Sequence, residues 1–181
     1  MQITISNKQR NLSGCCGLYC GLCSKFQSKA PSRCIGCKQG EQHSWCSIWN
    51  CCVKKHGFET CAECGDISSC EIFLRRKVGE WIPAADNLRQ IEEAGLKNWL
   101  KEQKERQGVL ERLLRDYNEG RSMGFYCTVC ARMPVESINM AVDEAKKKIA
   151  DERVRRSDLK SKAKIMKAAL KDSASKANVR L

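Results

Sequence analysis

Twelve cysteines fall between Cys15 and Cys70 of this chain, a window of 56 residues in which about one residue in five carries a thiol. A segment this short and this rich in Cys has too little apolar surface for an ordinary core, so cross-links or metal ions must stand in for it. Only two more cysteines, Cys127 and Cys130, lie in the second half of the 181 residues.

Which of the two substitutes applies depends on redox compartment. The first ten residues, Met1 to Arg10, contain no apolar run and no small-residue cleavage site, which gives no sign of a secretory signal. No stretch approaches the roughly 18 apolar residues that span a bilayer. We therefore expect a cytoplasmic chain, with no membrane role, bathed in a reducing thiol pool where a dense disulfide framework does not persist. Its cysteines are then expected to be metal ligands.

The spacing supports that expectation. Cys16-x3-Cys20-x2-Cys23 is followed by Cys34-x2-Cys37, Cys46-x4-Cys51, Cys61-x2-Cys64 and Cys70. A Cys-x-x-Cys turn presents two thiolates to one ion while backbone N–H groups face the sulfurs, and two such turns complete a tetrahedral zinc site. Cys20, Cys23, Cys34 and Cys37 make one natural quartet. Cys46, Cys51, Cys61 and Cys64 make a second, with Cys70 as a substitute. This leaves Cys16 and Cys70 over, so either some thiols are spare or the true assignment is interleaved. Cys15 and Cys52 each adjoin a better-placed Cys and are read, with Cys127 and Cys130, as buried thiols that bind no metal. About two zinc ions are expected. The rival cofactor is a [4Fe-4S] cluster, which Cys thiolates also hold and whose spacing Cys16-x3-Cys20-x2-Cys23 also matches.

The fold class expected is mainly α, with an irregular Cys-rich head over 1–72, knuckle-like and with little β, and a small helical body over 73–181. Ile3 and Ile5 alternate as in one short strand, and helical periodicity in the head is confined to Ile48–Lys55 and the segment after Cys70. In the body, Leu88, Ile91 and Ala94 line a first helix with Asp86 as its cap and Gly95 as its stop. Leu96, Trp99 and Leu100 belong to a second helix, and Val109 to Tyr117 to a third. A connector follows at Gly124–Cys127, then a helix opening at Pro134 and a last one from Ser157 or Asp158.

In the order Cys16-Gly17-Leu18-Tyr19-Cys20-Gly21-Leu22-Cys23, Cys34-Ile35-Gly36-Cys37, Cys46 to Cys51, Cys61-Ala62-Glu63-Cys64 and Ser69-Cys70-Glu71, the head resembles the prokaryotic domain-of-unknown-function family 3795, a predicted zinc-binding group. The likeness continues through Asn87-Leu88-Arg89, Gly95 to Leu100, Asn118 to Ser122 and Phe125-Tyr126-Cys127 into the final helices. It implies a metal-binding head on a helical body with no established reaction, and carries a ligand role onto Cys16, Cys20, Cys23, Cys34, Cys37, Cys46, Cys51, Cys61, Cys64 and Cys70. Two features depart from the family: Ser69 stands where a Pro is common, and the extra Cys-x-x-Cys of some members is missing around Lys104 to Gly108. Cys15 and Cys52 look peculiar to this sequence.

The formal charge is +12, and it is uneven: residues 143–181 hold 13 basic and 6 acidic side chains. Two four-thiolate zinc sites at about −2 each would lower the total to about +8. Lys160, Lys164, Lys167 and Lys171 recur at helical spacing and could follow the phosphates of a nucleic acid or meet an acidic protein partner; the competing reading is a solvated face beside the Leu159, Ala163, Met166 and Leu170 stripe. Trp45 and Trp49 could stack on bases, but packing over the metal site is the simpler role. Surplus thiols would suit a redox protein. An enzyme is not expected: His43 and His56 are the sole histidines, and there is no Gly-rich phosphate loop, Ser–His–acid set or HExxH motif.

Overall fold

A computed structural model of the chain describes residues 6–39, 44–75 and 83–181; the strand expected at Ile3 and Ile5, and His43, lie outside them. Among the described residues there are nine α-helices and no strand, only an isolated antiparallel bridge between Ser13 and Tyr19. The chain divides into two compact units, Met1–Lys104 and Glu105–Leu181.

The first unit holds the twelve clustered cysteines in short turns. α1 (Asn7–Arg10) is closed at its start by a capping box, the Ser6 hydroxyl accepting from Gln9 N and the Gln9 side chain accepting from Ser6 N. α2 (Ser24–Gln27) follows a single 3-10 turn at Cys20–Leu22. α3 (Ser47–Trp49) runs on into a wider π-type turn over Asn50–Lys55, and α4 (Glu71–Arg75) starts after Cys70. These are the two places in the head where helical periodicity is visible in the sequence.

α5 (Ala84–Ala94) supplies the apolar face that the Cys-rich turns lack. Ala84, Leu88 and Ile91 are buried along it. It starts two residues before Asp86, with Pro83 at the cap position, so Asp86 lies in the first turn and is not the cap expected from sequence. Gly95, at φ +80°, ends α5, and Leu96 opens α6 (Leu96–Tyr117) at once. α6 is one helix where sequence suggests two. The stretch Lys101–Gln107 has no apolar stripe to betray it, but Lys, Glu, Gln and Arg are all good helix formers, and Gly108 costs only about 1 kcal/mol in a helix interior.

The second unit is a helical packet. α7 (Met123–Arg132) occupies the segment read from sequence as a connector: Tyr126, Cys127, Val129 and Cys130 are buried on it. α8 (Val135–Asp151) and α9 (Leu159–Lys176) pack on each other through Ala141 and Ala145 on one helix and Ala163 and Ala174 on the other, small side chains that let the backbones approach. Leu110, Leu113, Ile138, Met166 and Leu170 fill the core around them, each worth roughly 1.5–3 kcal/mol on burial. Arg106 closes the C-terminal end of α7, its Nη1 donating to Cys130 O at 2.9 Å and Met133 O at 2.6 Å. α9 is capped by Asp158, which accepts from Ser161 N at 3.0 Å.

Candidate metal centre

The head's geometry begins at residues 12–20. Gly14 N donates to Leu18 O and Cys20 N to Leu12 O, both at 2.7 Å, folding the chain into a tight loop with Cys15 and Cys16 inside it. Gly17 sits at φ +81°, and a Cβ there would meet Ala84 O at 2.6 Å and Leu88 Cγ at 3.0 Å. Glycine is thus needed twice over, for the left-handed backbone and for the close approach of α5. The buried Asn87 side chain fixes the contact by donating from Nδ2 to Gly17 O at 2.8 Å.

The Cys-x-x-Cys turns have the expected shape. Cys20–Leu22 and Cys61–Glu63 are single 3-10 turns, and Gly36 N donates to Cys34 Sγ at 3.4 Å. Gly36, at φ +99°, keeps its turn close to Cys20 Sγ. Around Cys61 the turn is locked by Glu63, whose Oε1 accepts from Glu59 N and Thr60 N at 2.9 and 2.8 Å. Cys61 N in turn donates to Cys15 O at 2.8 Å, tying two distant stretches of chain together.

That tie creates the tightest thiol group. The Sγ atoms of Cys15, Cys52 and Cys61 all lie within 4.8 Å of one another, and the residues are 5%, 4% and 7% exposed. Among the described residues no other set of three His, Cys, Asp or Glu side chains is gathered so closely. Cys61 was expected as a ligand; Cys15 and Cys52 were set aside as inert thiols.

The other thiols sort around two places. Cys51, Cys52, Cys61, Cys64 and Cys70 line a small apolar cavity of about 30 Å³ with Ile48, Phe58, Ile67, Ile72 and Phe73, and His56, stacked on Phe58, also borders it. The cavity has room for an ion or a water molecule and not for an organic ligand. Cys20, Cys23, Cys34, Cys37 and Cys46 line a broader, open hollow with Lys25, Arg33 and the exposed Trp45. Cys16 is buried, and the thiol charges acting on it are those of Cys15 first, then Cys37 and Cys46. The four members of the first expected quartet all line this open hollow. The second is split, because Cys46 stands with the first and apart from Cys51, Cys61 and Cys64.

Proton affinities in the metal-free thiols follow from these contacts. Cys61 is pushed well up by its hydrogen bonding with Cys15 and Cys52 and by burial. Cys15 is raised to about 11, chiefly by its own hydrogen bond to Cys52. Cys52 is lowered by its hydrogen bonds with Cys15 and Cys61, and its Sγ also lies 3.7 Å from Phe58 O. Cys20 is raised by its hydrogen bond to Cys37, and Cys16 to about 12 by burial. Lys38 Nζ donates to Ser13 Oγ at 3.3 Å and Arg10 O at 3.4 Å and pairs with Glu59 Oε1 at 3.7 Å, and it lowers Cys15 only slightly against the larger causes.

Outside the first unit, Cys127 and Cys130 lie buried on α7, and burial raises Cys130 to about 12. The lysine row on α9 is not uniformly available. Lys167 bonds Glu119 Oε1 at 3.1 Å and Lys171 lies over the Phe125 ring, while Lys160 and Lys164 are exposed. No helix among the described residues is long and apolar enough to cross a membrane.

No protein-family model, curated protein or solved structure gives a significant match to this chain. The site itself defines the class: a Cys-rich, mainly helical protein with a buried cysteine triad that could hold a metal ion.

Proposed function

We propose that this chain is a zinc-binding protein whose metal ions are structural, holding together a head that its side chains alone cannot, and that it is a member of domain-of-unknown-function family 3795. The observation that carries the metal reading is the buried group Cys15, Cys52 and Cys61. Its donor set fits zinc. Thiolates bind at about 2.3 Å, so sulfurs on one tetrahedral ion stand about 3.8 Å apart, and three sulfurs already within 4.8 Å need close by only about 1 Å. A cubane iron–sulfur cluster spreads its cysteines further than a zinc ion does, so this compactness favours zinc over the [4Fe-4S] alternative. The ordered Cys-x-x-Cys turns, with Cys20, Cys23, Cys34 and Cys37 around one hollow, support a second ion there.

Metal analysis of anaerobically purified protein tests the proposal. We expect colourless protein with stoichiometric zinc. Brown protein absorbing near ~400 nm with bound iron would replace zinc by a cluster. A macromolecular partner is the function we propose for the head–body assembly, reached through the exposed Lys160 and Lys164 rather than through all four lysines of the row. Salt-dependent retardation of labelled RNA or DNA measures it.

A further inference from the structure

We propose that Cys15, Cys51, Cys52, Cys61, Cys64 and Cys70 form a single centre for two divalent metal ions, with Cys52 and Cys61 as bridging thiolates. This rests on the metal-binding reading above and adds a ligand set and a nuclearity to it. Cys52 and Cys61 are the two residues that belong both to the Cys15 triad and to the wall of the adjoining cavity, where Cys51, Cys64 and Cys70 are gathered. An ion among the triad and an ion at the cavity would therefore share those two sulfurs.

Coordination arithmetic agrees. Two tetrahedral ions need eight sulfur positions; four terminal thiolates supply four and two bridging thiolates supply the other four. The six cysteines of this group meet that need with none left over. A single ion would leave two of the six without metal, in a place where Cys15, Cys52 and Cys61 are all buried and crowd one another. Charge points the same way. Six thiolates with two divalent ions carry −2 in total, the charge that one four-thiolate ion carries alone. Sharing sulfurs thus halves the anionic load per ion.

Cadmium NMR of the full chain loaded with cadmium in place of zinc tests the bridge without any substitution. Expected are two cadmium resonances coupled to each other, besides an uncoupled one for an ion at the Cys20–Cys37 hollow, with the β-protons of Cys52 and Cys61 each correlating to both coupled ions and those of Cys15 to one. Native mass spectrometry of zinc-loaded Cys52→Ser should then show the loss of two ions and not one. If every cysteine correlates to a single cadmium, or all the resonances are uncoupled, the two-ion centre is wrong while the metal-binding reading stands. If neither cadmium nor zinc is retained, both fail.

Discussion

Replacing Gly17 by Ala probes the contact on which the geometry of the cysteine loop depends. Two costs add at that position. An L-residue at φ +81° pays about 1–2 kcal/mol for the left-handed backbone. The new Cβ would also lie 2.6 Å from Ala84 O, an atom of the α5 backbone that cannot rotate aside, and such overpacking typically costs about 1–3 kcal/mol. The sum, about 2–5 kcal/mol, is a large share of the roughly 5–15 kcal/mol by which a domain is stable. Gly95 is the natural control. Its φ is +80°, yet a Cβ there meets nothing within 4 Å, so Gly95→Ala should cost only the backbone part, about 1–2 kcal/mol. The assay is urea unfolding of the metal-loaded protein followed by the fluorescence of Trp99, which is buried edge-on against Tyr19 at 6.0 Å. Equal losses in the two variants would refute the packing of α5 on the 16–18 loop.

Three further outcomes follow from the same geometry. Chelation under reducing conditions should expose Trp99 and shift its emission to the red, because metal binding and folding of the head are coupled; emission that stays put on complete metal removal would refute the structural role. In the second unit, the stability contributed by the protonated Cys130 thiol is fully present below about pH 9, its ordinary value, and is lost as pH rises toward about 12, its folded value. The wild type should thus lose about 1.4 kcal/mol per pH unit more than Cys130→Ala across that window, read by denaturant melts at several pH values. Lys167→Ala should weaken folding by about 1 kcal/mol or less through its partly exposed pair with Glu119, whereas a Lys160→Glu, Lys164→Glu double variant should leave the thermal midpoint unchanged and reduce nucleic-acid retention about tenfold, each measured on one protein preparation.

Legibility from sequence varied with the physics of each segment. The helical body is readable because Leu88, Ile91, Ile138 and Leu170 recur at helical spacing and bury where that spacing puts them. α7 is not readable. Gly124 and four aromatic or β-branched residues weaken its propensity, and its helix is imposed by burial of Tyr126, Val129 and Cys130. The merging of two expected helices into α6 has the opposite cause: Lys101–Gln107 has high propensity and no apolar face, so periodicity alone misses it. The turns of the head are legible as turns, with Gly36 in the Cys34-x2-Cys37 turn and Gly17 in the Cys16-x3-Cys20 loop as their signature, because the backbone conformation there admits little else.

The pairing of thiols across the head was harder, and the adjacent cysteines show why. Spacing ranks each Cys by its distance along the chain from the next, and by that rule Cys15 is a redundant neighbour of Cys16. Cys15 and Cys16, however, sit in the turn that Gly17 N closes onto Gly14 O at 3.1 Å, where two adjacent side chains leave the backbone in different directions, so an adjacent pair can serve two centres. Cys15 stands with Cys52 and Cys61, tied there by the backbone bond from Cys61 N to Cys15 O, and Cys16 is therefore assigned to the other group. The Cys15–Cys16 dipeptide then divides the head's twelve thiols into two groups of six: Cys16, Cys20, Cys23, Cys34, Cys37 and Cys46 on one side, and Cys15, Cys51, Cys52, Cys61, Cys64 and Cys70 on the other. A one-residue hinge of this kind makes the two centres mutually dependent. Shifting the 13–19 loop to repair one pulls Cys15 or Cys16 out of the other, so loss of metal from either should lower the affinity of its neighbour, and the two should empty together in a chelator titration. Two well-separated release steps, the second unaffected by the first, would show that the dipeptide does not couple them.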